Sequence, residues 1–394
     1  MAAHLPLGYS VRNVLARPAR SLMTATVIAL VVVACALLLG LIGSLRRTLI
    51  ASGEALNLVV MRKGSDNDGS SQVTLEAYQM VRFLDGIARD AGDQPMVSPE
   101  LVVQPFLRRL DGGRENVLVR GVEAMALPVH PEVRITQGRM IAPSAGEAVV
   151  GRGLVGRYEG AVLGGELRFG RGRWKVTGVL DAGGSSFESE IWVDARELGR
   201  DAKRLFPYSG VRLRARDAAT MAALKRRIDA DPRHALEAKP EVEYYASQAE
   251  SADVLYILVV GVAVLAGIGA GFGAANTMYA SVQARTAEIG TLRAMGFARG
   301  AILRAFQVEA AALGVLGFVI GAVASLVLAY VIRHAFGGVG FSASTFTTNV
   351  VLLRIGVTEL AVAFVLAVVV GLAGGIAPAW RAARLRPIEA LRRA

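Results

Sequence analysis

Four long apolar runs dominate the hydrophobic pattern of the chain, and polar or mixed sequence separates them. The runs cover residues 21–45, 254–282, 310–332 and 360–380. An α-helix rises about 1.5 Å per residue, so roughly 20 apolar residues cross a hydrocarbon core that is about 30 Å thick. The pattern therefore predicts four transmembrane helices.

The first apolar run differs from a cleaved signal peptide in its length and in its C-terminal flank. Ser21 to Leu45 carries no charged residue, whereas a signal peptide has an apolar core of about 7 to 15 residues and then a small-residue cleavage site. The run leads directly into Arg46 and Arg47. We therefore predict an uncleaved membrane anchor in which Cys35 is a packing residue.

Residues 46–252, between the first two runs, combine strand and helix patterns. Asn57–Met61 predicts a first strand, Leu75–Ile87 predicts a helix, and Asp217–Ile228 predicts a second helix. Short apolar runs between glycines over residues 99–193 predict most of the other strands. The predicted fold is an α-helical membrane protein with four transmembrane helices and an α+β extracytoplasmic domain with stalks, inserted between helices 1 and 2.

The net charge of +11 is distributed unevenly. Residues 46–252 hold 30 Lys and Arg against 28 Asp and Glu, whereas residues 1–20, 283–309 and 381–394 together hold 12 Arg against three Glu. Basic residues concentrate in the cytoplasmic loops of membrane proteins. We therefore predict that these three segments and both termini are cytoplasmic, that an outer loop covers 333–359, and that no nucleic acid is bound.

Residue patterns typical of enzymes are missing from the sequence. Four histidines lack metal-ligand spacing, and no Gly-x-x-x-x-Gly-Lys-Ser/Thr phosphate-binding loop is present. Residues 269–274 match a dinucleotide-binding pattern formally, but they lie inside an apolar run without a preceding strand. We predict no catalytic residue, no metal and no cofactor in this chain.

The segment 283–309 lies between two membrane runs and is basic and amphipathic. Its apolar residues recur at helical spacing, and Gly296 is placed as a helix C-cap, which predicts two short helices joined there. Such a segment lies at the cytoplasmic membrane surface. It has two interpretations: a positively charged topology loop, or a docking element for a cytoplasmic partner.

The sequence from Arg285 to Gly296, RTAEIGTLRAMG, resembles a signature of FtsX/MacB-type ABC transporter permeases, Arg-x-x-Glu-Ile-Gly-x-Leu-Arg-Ala-x-Gly. The tail Pro378–Leu391 is also similar to the family, and Glu147–Gly151 resembles a MacB-like periplasmic core domain more loosely. The resemblance implies an ATPase-coupling role for eight residues: Arg285, Glu288, Ile289, Gly290, Leu292, Arg293, Met295 and Gly296.

The same resemblance implies a function and a set of partners. The chain is expected in a bacterial cytoplasmic (inner) membrane as the permease subunit of an ABC transporter, with ATP and Mg bound by a separate cytoplasmic ABC ATPase subunit. A second permease copy or a related permease chain is expected, and a periplasmic adaptor is an additional candidate. The expected activity is export or extraction of a lipoprotein, lipid, peptide or drug.

Two other functions stay open at this point. The first is an ATP-gated scaffold or sensor that regulates an extracytoplasmic partner, such as a cell-wall hydrolase, without moving a solute. The second is a secondary transporter, which would place ionisable residues within its membrane spans. The four apolar runs carry none, so this alternative is the weaker of the two.

The second membrane run contains candidate helix-packing residues. Gly267, Gly269, Gly271 and Gly273 form two overlapping Gly-x-x-x-Gly pairs, and small residues let helices approach closely in lipid. The alternative is chance, because the chain has 44 glycines. Asn276 is predicted either to donate a hydrogen bond to another helix or to face water near the interface, and the resemblance favours the first.

Overall fold

The computed structural model of the chain describes residues 18–335, 338–343 and 346–385. Most of the predicted cytoplasmic N-terminus and the distal part of the tail lie outside the described residues. The chain divides into two compact units. We call residues 1–43, 253–335 and 353–394 the helical unit, and residues 44–252 and 336–352 the sheet unit.

The described residues form helices and strands with these bounds. The α-helices are α1 Pro18–Ile50, α2 Leu75–Arg82, α3 Ala126–Val129, α4 Ala195–Asp201, α5 Ala218–Asp229, α6 Glu241–Gln283, α7 Thr286–Ala294, α8 Arg299–Ala335 and α9 Val357–Ala383. The strands are β1 Asn57–Arg62, β2 Val97–Val103, β3 Phe106–Arg108, β4 Arg114–Asn116, β5 Leu118–Val122, β6 Arg134–Gly138, β7 Glu147–Gly151, β8 Glu166–Phe169, β9 Gly172–Asp181, β10 Glu190–Asp194, β11 Gly210–Arg214, β12 Leu236–Pro240, β13 Val339–Ala343 and β14 Phe346–Val351.

Among the described residues, four helices are long and apolar enough to cross a membrane, which confirms the predicted number. The candidate spans are Ser21–Ile50, Tyr256–Gln283, Arg299–Ala335 and Val357–Ala383. Each helix is longer than its apolar run, most of all α6, whose first turns carry Glu241 and Glu243. Hydropathy therefore locates the spans but underestimates the length of the helices that contain them.

Glycines set the closest helix crossings within the helical unit. A Cβ on Gly317 of α8 would lie 2.7 Å from Cβ of Ile28 in α1, and one on Gly321 would lie 2.7 Å from Cβ of Val32. A Cβ on Gly371 of α9 would lie 2.7 Å from the carbonyl oxygen of Ala310 in α8. Only glycine fits at these positions, so these crossings depend on small residues.

The sheet unit is built on a mixed ten-stranded sheet, which confirms the predicted α+β class. Its strand order is β12-β1-β11-β2-β5-β10-β7-β9-β6, and β8 pairs with β9 outside this path. β5 and β10 are parallel, as are β7 and β9. Separate two-stranded sheets are formed by β3 with β4 and by β13 with β14.

The element predictions for the sheet unit were only partly accurate. Asp217 caps α5 by accepting a hydrogen bond from the amide of Thr220 at 2.8 Å, as predicted. The helix predicted over Leu75–Ile87 ends at Arg82, because Ile87 forms a β-bridge with Ala215. The outer loop predicted over 333–359 contains the β13–β14 hairpin.

Candidate functional site

The coupling segment, residues 283–309, contains one short helix, α7, between two long ones. Its end is a Schellman-type cap, because Gly296 has φ +92° and the amide of Phe297 donates to the carbonyl of Leu292 at 3.2 Å. Gly296 therefore ends the helix as predicted. The second predicted short helix is wrong as a separate element, because Arg299 begins α8, which continues unbroken to Ala335.

Arg285 lies inside the coupling segment. Its side chain is only 8% exposed, and Nη1 donates to Oε2 of Glu309 at 3.0 Å while Nε donates to Oε2 of Glu288 at 3.1 Å. The guanidinium also lies 5.4 Å from the ring centroid of Phe306. Arg285 thus holds the end of α6 and the start of α7 against α8.

The eight predicted coupling residues divide into an inner and an outer group. Ile289 and Gly290 are buried like Arg285, and Ile289 packs in an apolar cluster with Val282 and Phe306. Leu292 and Arg293 are half-buried. The exposed members are Glu288, Met295, which is 63% exposed, and Gly296. Of these eight residues, the exposed group is the most accessible to another protein.

The predicted packing glycines of α6 have different surroundings. A Cβ on Gly267 would lie 3.3 Å from Val370 of α9, and one on Gly273 would lie 3.5 Å from Val27 of α1. Among the described residues, and apart from the nearby backbone of α6 itself, no atom lies within 4 Å of a Cβ built on Gly269 or Gly271. The packing role of the four glycines therefore stays a prediction.

Asn276 is exposed, and within the described residues it makes no hydrogen bond to another helix. The neighbouring Thr277 instead bonds to Thr24 of α1, with 2.7 Å between the two hydroxyl oxygens. A cross-helix bond from Asn276 would therefore need a partner outside the described chain.

A second candidate site is a cluster of buried charges in the sheet unit. Two arginines, Arg120 on β5 and Arg212 on β11, are at most 2% exposed. Nη1 of Arg212 donates to Oε2 of Glu100, and Nη1 of Arg120 donates to the same oxygen at 2.7 Å. The other acidic members are Asp68, Glu190 and Glu241, each paired with one or both arginines. We refer to these six residues and His130 as the buried charge cluster.

The arginines and His130 shift the pKa of the cluster's acids and of each other. Burial alone would raise the pKa of Glu100, but the charges of Arg212, Arg120 and His130 hold it well below its usual range. Burial alone would lower the pKa of His130, but Glu100, 2.9 Å from Nε2, raises it to about 9. Burial raises the pKa of Glu241 despite the nearby His130 and Arg212. The raised pKa of His130 favours a third cation beside Arg120 and Arg212, next to the carboxylates of the cluster.

The cluster holds the start of α6. Glu241, its first residue, accepts hydrogen bonds from Nε of Arg212 at 3.2 Å and from Nδ2 of Asn57 at 2.9 Å. Its carboxylate also accepts the amide of Glu54, which lies just beyond the end of α1, at 3.2 Å. In the next turn, the hydroxyl of Tyr244 donates to Asp68 at 3.0 Å.

The segment after α1 is held at the same place. A Cβ on Gly53 would lie 2.7 Å from Cα of Val242, so the two backbones are nearly in contact. The hydroxyls of Ser52 and Ser186 lie 2.8 Å apart, and Ser52 Oγ accepts the amide of Ser186 at 2.9 Å. Within the sheet unit, the end of α1 and the start of α6 therefore form one polar junction.

The buried charge cluster was not predicted from the sequence, although one signal was present. Charged residues lie in two strands that are largely apolar: Arg120 in the middle of β5, and Glu190 and Asp194 at the two ends of β10. A charge that lies in such a strand is either at a solvent-facing position or paired in the interior. Choosing between these two positions requires knowing which residues pair with the charge. The sequence does not show this, because paired residues such as Arg212 and Asp68 are 144 residues apart.

The chain combines four candidate membrane spans, an α+β domain that follows the first span, and a charged helix between the second and third spans. A family model described as the MacB-like periplasmic core domain matches residues 21–231, and one described as the FtsX-like permease C-terminal matches residues 260–387. The chain belongs to the FtsX/MacB-type family of ABC transporter permeases.

Several known proteins are similar to this chain. The macrolide export ATP-binding/permease protein MacB of Vibrio parahaemolyticus is 31% identical over 228 residues, covering 56% of this chain and 33% of that protein. MacB 1 of Aeromonas hydrophila is 29% identical over 346 residues, covering 81% of this chain and 50% of that protein. The periplasmic region of MacB from Actinobacillus actinomycetemcomitans matches with a TM-score of 0.38 and 11% identity, covering 51% of this chain and 95% of that one. The chain thus spans half or less of the length of these two full-length relatives.

Proposed function

We propose that this chain is the membrane subunit that transmits ATP-driven motion of a separate cytoplasmic ATPase to the sheet unit, for export or extraction of a substrate. The observation that carries the proposal is the division of the coupling segment into two groups. Arg285, Ile289 and Gly290 build the support, and Glu288 and Met295 are presented at the surface. A charged topology loop would need only its positive charge, so it does not explain an apolar Met295 on a braced helix.

The transmission route in this proposal is α6. The helix begins at Glu241 in the sheet unit and ends at Gln283, two residues before Arg285 in the helical unit. A single helix transmits a displacement of one end to the other because its backbone hydrogen bonds are continuous. The proposal places α7 and both termini on the cytoplasmic side, the sheet unit outside, and a second permease chain beside the first.

The test is a mild-detergent purification of the chain from its native membrane, with ATPase assay and mass spectrometry of the copurified proteins. The expected result is a stoichiometric ATPase that is lost in Glu288→Arg and Gly296→Pro, although both variants insert into the membrane. Gly296→Pro acts through the backbone, because proline cannot adopt φ +92°.

The matched control is Arg304→Glu, which changes an exposed charge on the adjacent helix outside the motif. It should leave the ATPase bound. If both variants lose the ATPase, or if both keep it, Glu288 has no specific role in binding and the docking assignment is wrong. If the chain purifies alone where other complexes survive, the alternative of a scaffold with an extracytoplasmic partner is favoured.

A further inference from the structure

The sheet unit contains a cleft of about 670 Å³ between β3 and β8. β8 is an outlying strand that pairs only with β9 among the described strands, and β3 belongs to the separate β3–β4 hairpin. A cleft of this size is in the range of ligand-binding pockets. It includes no residue of the coupling segment or of the buried charge cluster.

The chain itself fills one end of the space between these strands. The amide of Glu159 donates to the carbonyl of Arg108 at 3.0 Å, and Tyr158 forms an antiparallel bridge with Arg109. Gly160 lies directly against the carbonyl oxygen of Glu166. The segment 158–160 therefore occupies one end of the space between β3 and β8 as a single β-bridge followed by a turn, in which the amide of Ala161 donates to the carbonyl of Tyr158 at 3.1 Å. The cleft adjoins this turn, because Glu159 and Gly160 belong to its lining.

The β3 side of the cleft has a strand edge. The carbonyl of Arg108 points to Glu159 and away from β4. Residues two apart in a strand point their backbone groups in the same direction, so the amide and carbonyl of Phe106 also point away from β4. The side chain of Phe106 is 66% exposed and lines the cleft. Phe106 thus offers one hydrogen-bonding backbone position and an apolar surface.

The β8 side also has a strand edge. Val176 of β9 exchanges backbone hydrogen bonds, both 2.9 Å, with residues 164–165, which lead into β8. Backbone groups alternate in direction along a strand, so the amide and carbonyl of Trp174 also point to β8. Its partner Leu167 therefore points its backbone groups to β9, and the next residue, Arg168, points its own away from β9. Phe106 and Arg168 therefore provide hydrogen-bonding groups on the two walls.

The charged side chains that line the cleft are three arginines and two glutamates: Arg108, Arg114, Arg168, Glu159 and Glu166. Their net positive charge favours an anionic ligand. Arg108 and Arg114 are directly opposite each other on β3 and β4, and both are exposed. Like charges at opposed positions destabilise a strand pair. In the part of the chain that the structure describes, neither arginine has an acidic partner, whereas Arg168 is paired with Glu166 at 2.8 Å. A carboxylate placed between Arg108 and Arg114 would remove the repulsion and form charge-assisted hydrogen bonds.

We propose that this cleft binds an extended, acidic peptide segment that adds as a strand between β3 and β8. The peptide backbone bonds to the outward groups of Phe106 and Arg168, and an acidic side chain lies between Arg108 and Arg114. This is recognition by strand addition, in which the backbone supplies affinity and alternate side chains supply specificity. The inference concerns the sheet unit alone and does not depend on an ATPase partner.

The test measures fluorescence anisotropy of a labelled, acetylated Val-Glu-Val-Asp-Val peptide with the full-length protein in detergent, without ATP. Saturable binding is expected, and a Val-Lys-Val-Lys-Val peptide should not bind. Arg108→Ser and Arg114→Ser should each raise the Kd about tenfold or more. The matched control is Arg233→Ser, an exposed arginine preceding β12 at the far end of the sheet order, which should bind normally.

Strand addition is tested separately by comparing Phe106→Pro with Phe106→Ala. Both remove the ring, but only proline removes the amide that faces the cleft, and proline is tolerated at an outward edge position. Phe106→Pro should bind several-fold more weakly than Phe106→Ala. Equal affinities, unchanged binding in both arginine variants, or equal binding of the basic peptide would overturn the proposal. The proposal would also be overturned if free glutamate displaced the labelled peptide at a concentration equal to that of the peptide, because the cleft would then bind any small anion.

Discussion

The coupling segment and the buried charge cluster both place arginines beside carboxylates, but they differ in what surrounds the charges. In the coupling segment, Arg285 pairs with Glu288 of the next turn, which is 45% exposed, and with Glu309. In the cluster, Arg212 and Glu100 are fully buried, and they pair with each other and with residues that are far away in the sequence. The first arrangement leaves charge accessible to a partner, and the second confines it to the interior.

This difference determines the kind of role each region supports. Exposed ion pairs contribute little to stability, so the exposed charge of the coupling segment is better explained by binding. Buried ion pairs cost desolvation energy, and losing one partner is strongly destabilising. The cluster therefore fixes one geometry at the junction of α1 and α6, and the comparison can be tested residue by residue.

The largest effect is expected from Arg212→Met. It leaves Glu100, Asp68 and Glu241 with one buried cation fewer, and breaking such pairs costs about 3–5 kcal/mol. Hydrogen–deuterium exchange of β5 and β11 in the full-length protein measures the free energy of unfolding of the sheet unit. The control is Arg214→Met on the same strand, whose side chain is 24% exposed and lies 3.3 Å from Glu54. It should cost at most about 1 kcal/mol, and equal losses would show that burial does not distinguish them.

The next effect is a pH dependence due to His130. Its folded pKa of about 9 lies above the ordinary value of 6.5, so its stabilising contribution is complete below pH 6.5 and is lost as the pH rises through about 9. One proton changes the free energy of unfolding by at most about 1.4 kcal/mol per pH unit. Protection factors of β2 and β5, which correct for the intrinsic rise of amide exchange with pH, should fall over this window, and His130→Gln should remove the fall. An unchanged slope in the variant would contradict the assignment.

The acidic limit of the same cluster has the opposite sign. The pKa values of Glu100 and Asp68 are lowered, so their contribution is present above their ordinary values of 4.5 and 3.8 and is lost on acidification. The sheet unit should therefore be most stable at mildly acidic pH, between the acidic and the alkaline losses.

A smaller effect is expected from Arg285→Met in the coupling segment. The change removes charge-assisted hydrogen bonds to Glu309 and Glu288, which contribute about 1–3 kcal/mol. Faster hydrogen exchange should appear in α7 and the start of α8. Arg304→Met serves as control because Arg304 is exposed and bonds only to Gly300 of its own helix among the described residues. If both variants exchange equally fast, Arg285 does not brace the segment.

The smallest effect on stability is expected from Met295→Ala, within about 0.5 kcal/mol, because the side chain is 63% exposed. The same variant should nevertheless reduce the copurified ATPase. Met23→Ala is the matched control, since Met23 is 66% exposed in α1 and lies outside the coupling segment. Loss of stability in Met295→Ala would move this residue from the outer to the inner group.

The sequence predicted the features whose signals are local. The four spans are predicted by hydropathy, α5 by the cap at Asp217, and the end of α7 by Gly296. Glu241 as the start of α6 was missed because the polar first turns hide the helix from hydropathy. The buried charge cluster was missed because its pairs join residues far apart, and the β13–β14 hairpin was missed because its residues lie in a stretch expected to be a loop.

Because Gly53 and Val242 are nearly in contact, the two ends of the large inserted domain lie as close together as the ends of a short loop. The chain enters the domain after α1 and leaves it into α6 at almost the same point. An insert of about 190 residues therefore holds the ends of the two flanking helices together as a tight turn would. The length of the insert matters little for this, because loop-closure entropy rises only slowly with length. A different folded module whose ends lie equally close could therefore replace it without changing the spacing of α1 and α6, which makes this junction a natural site for domain exchange.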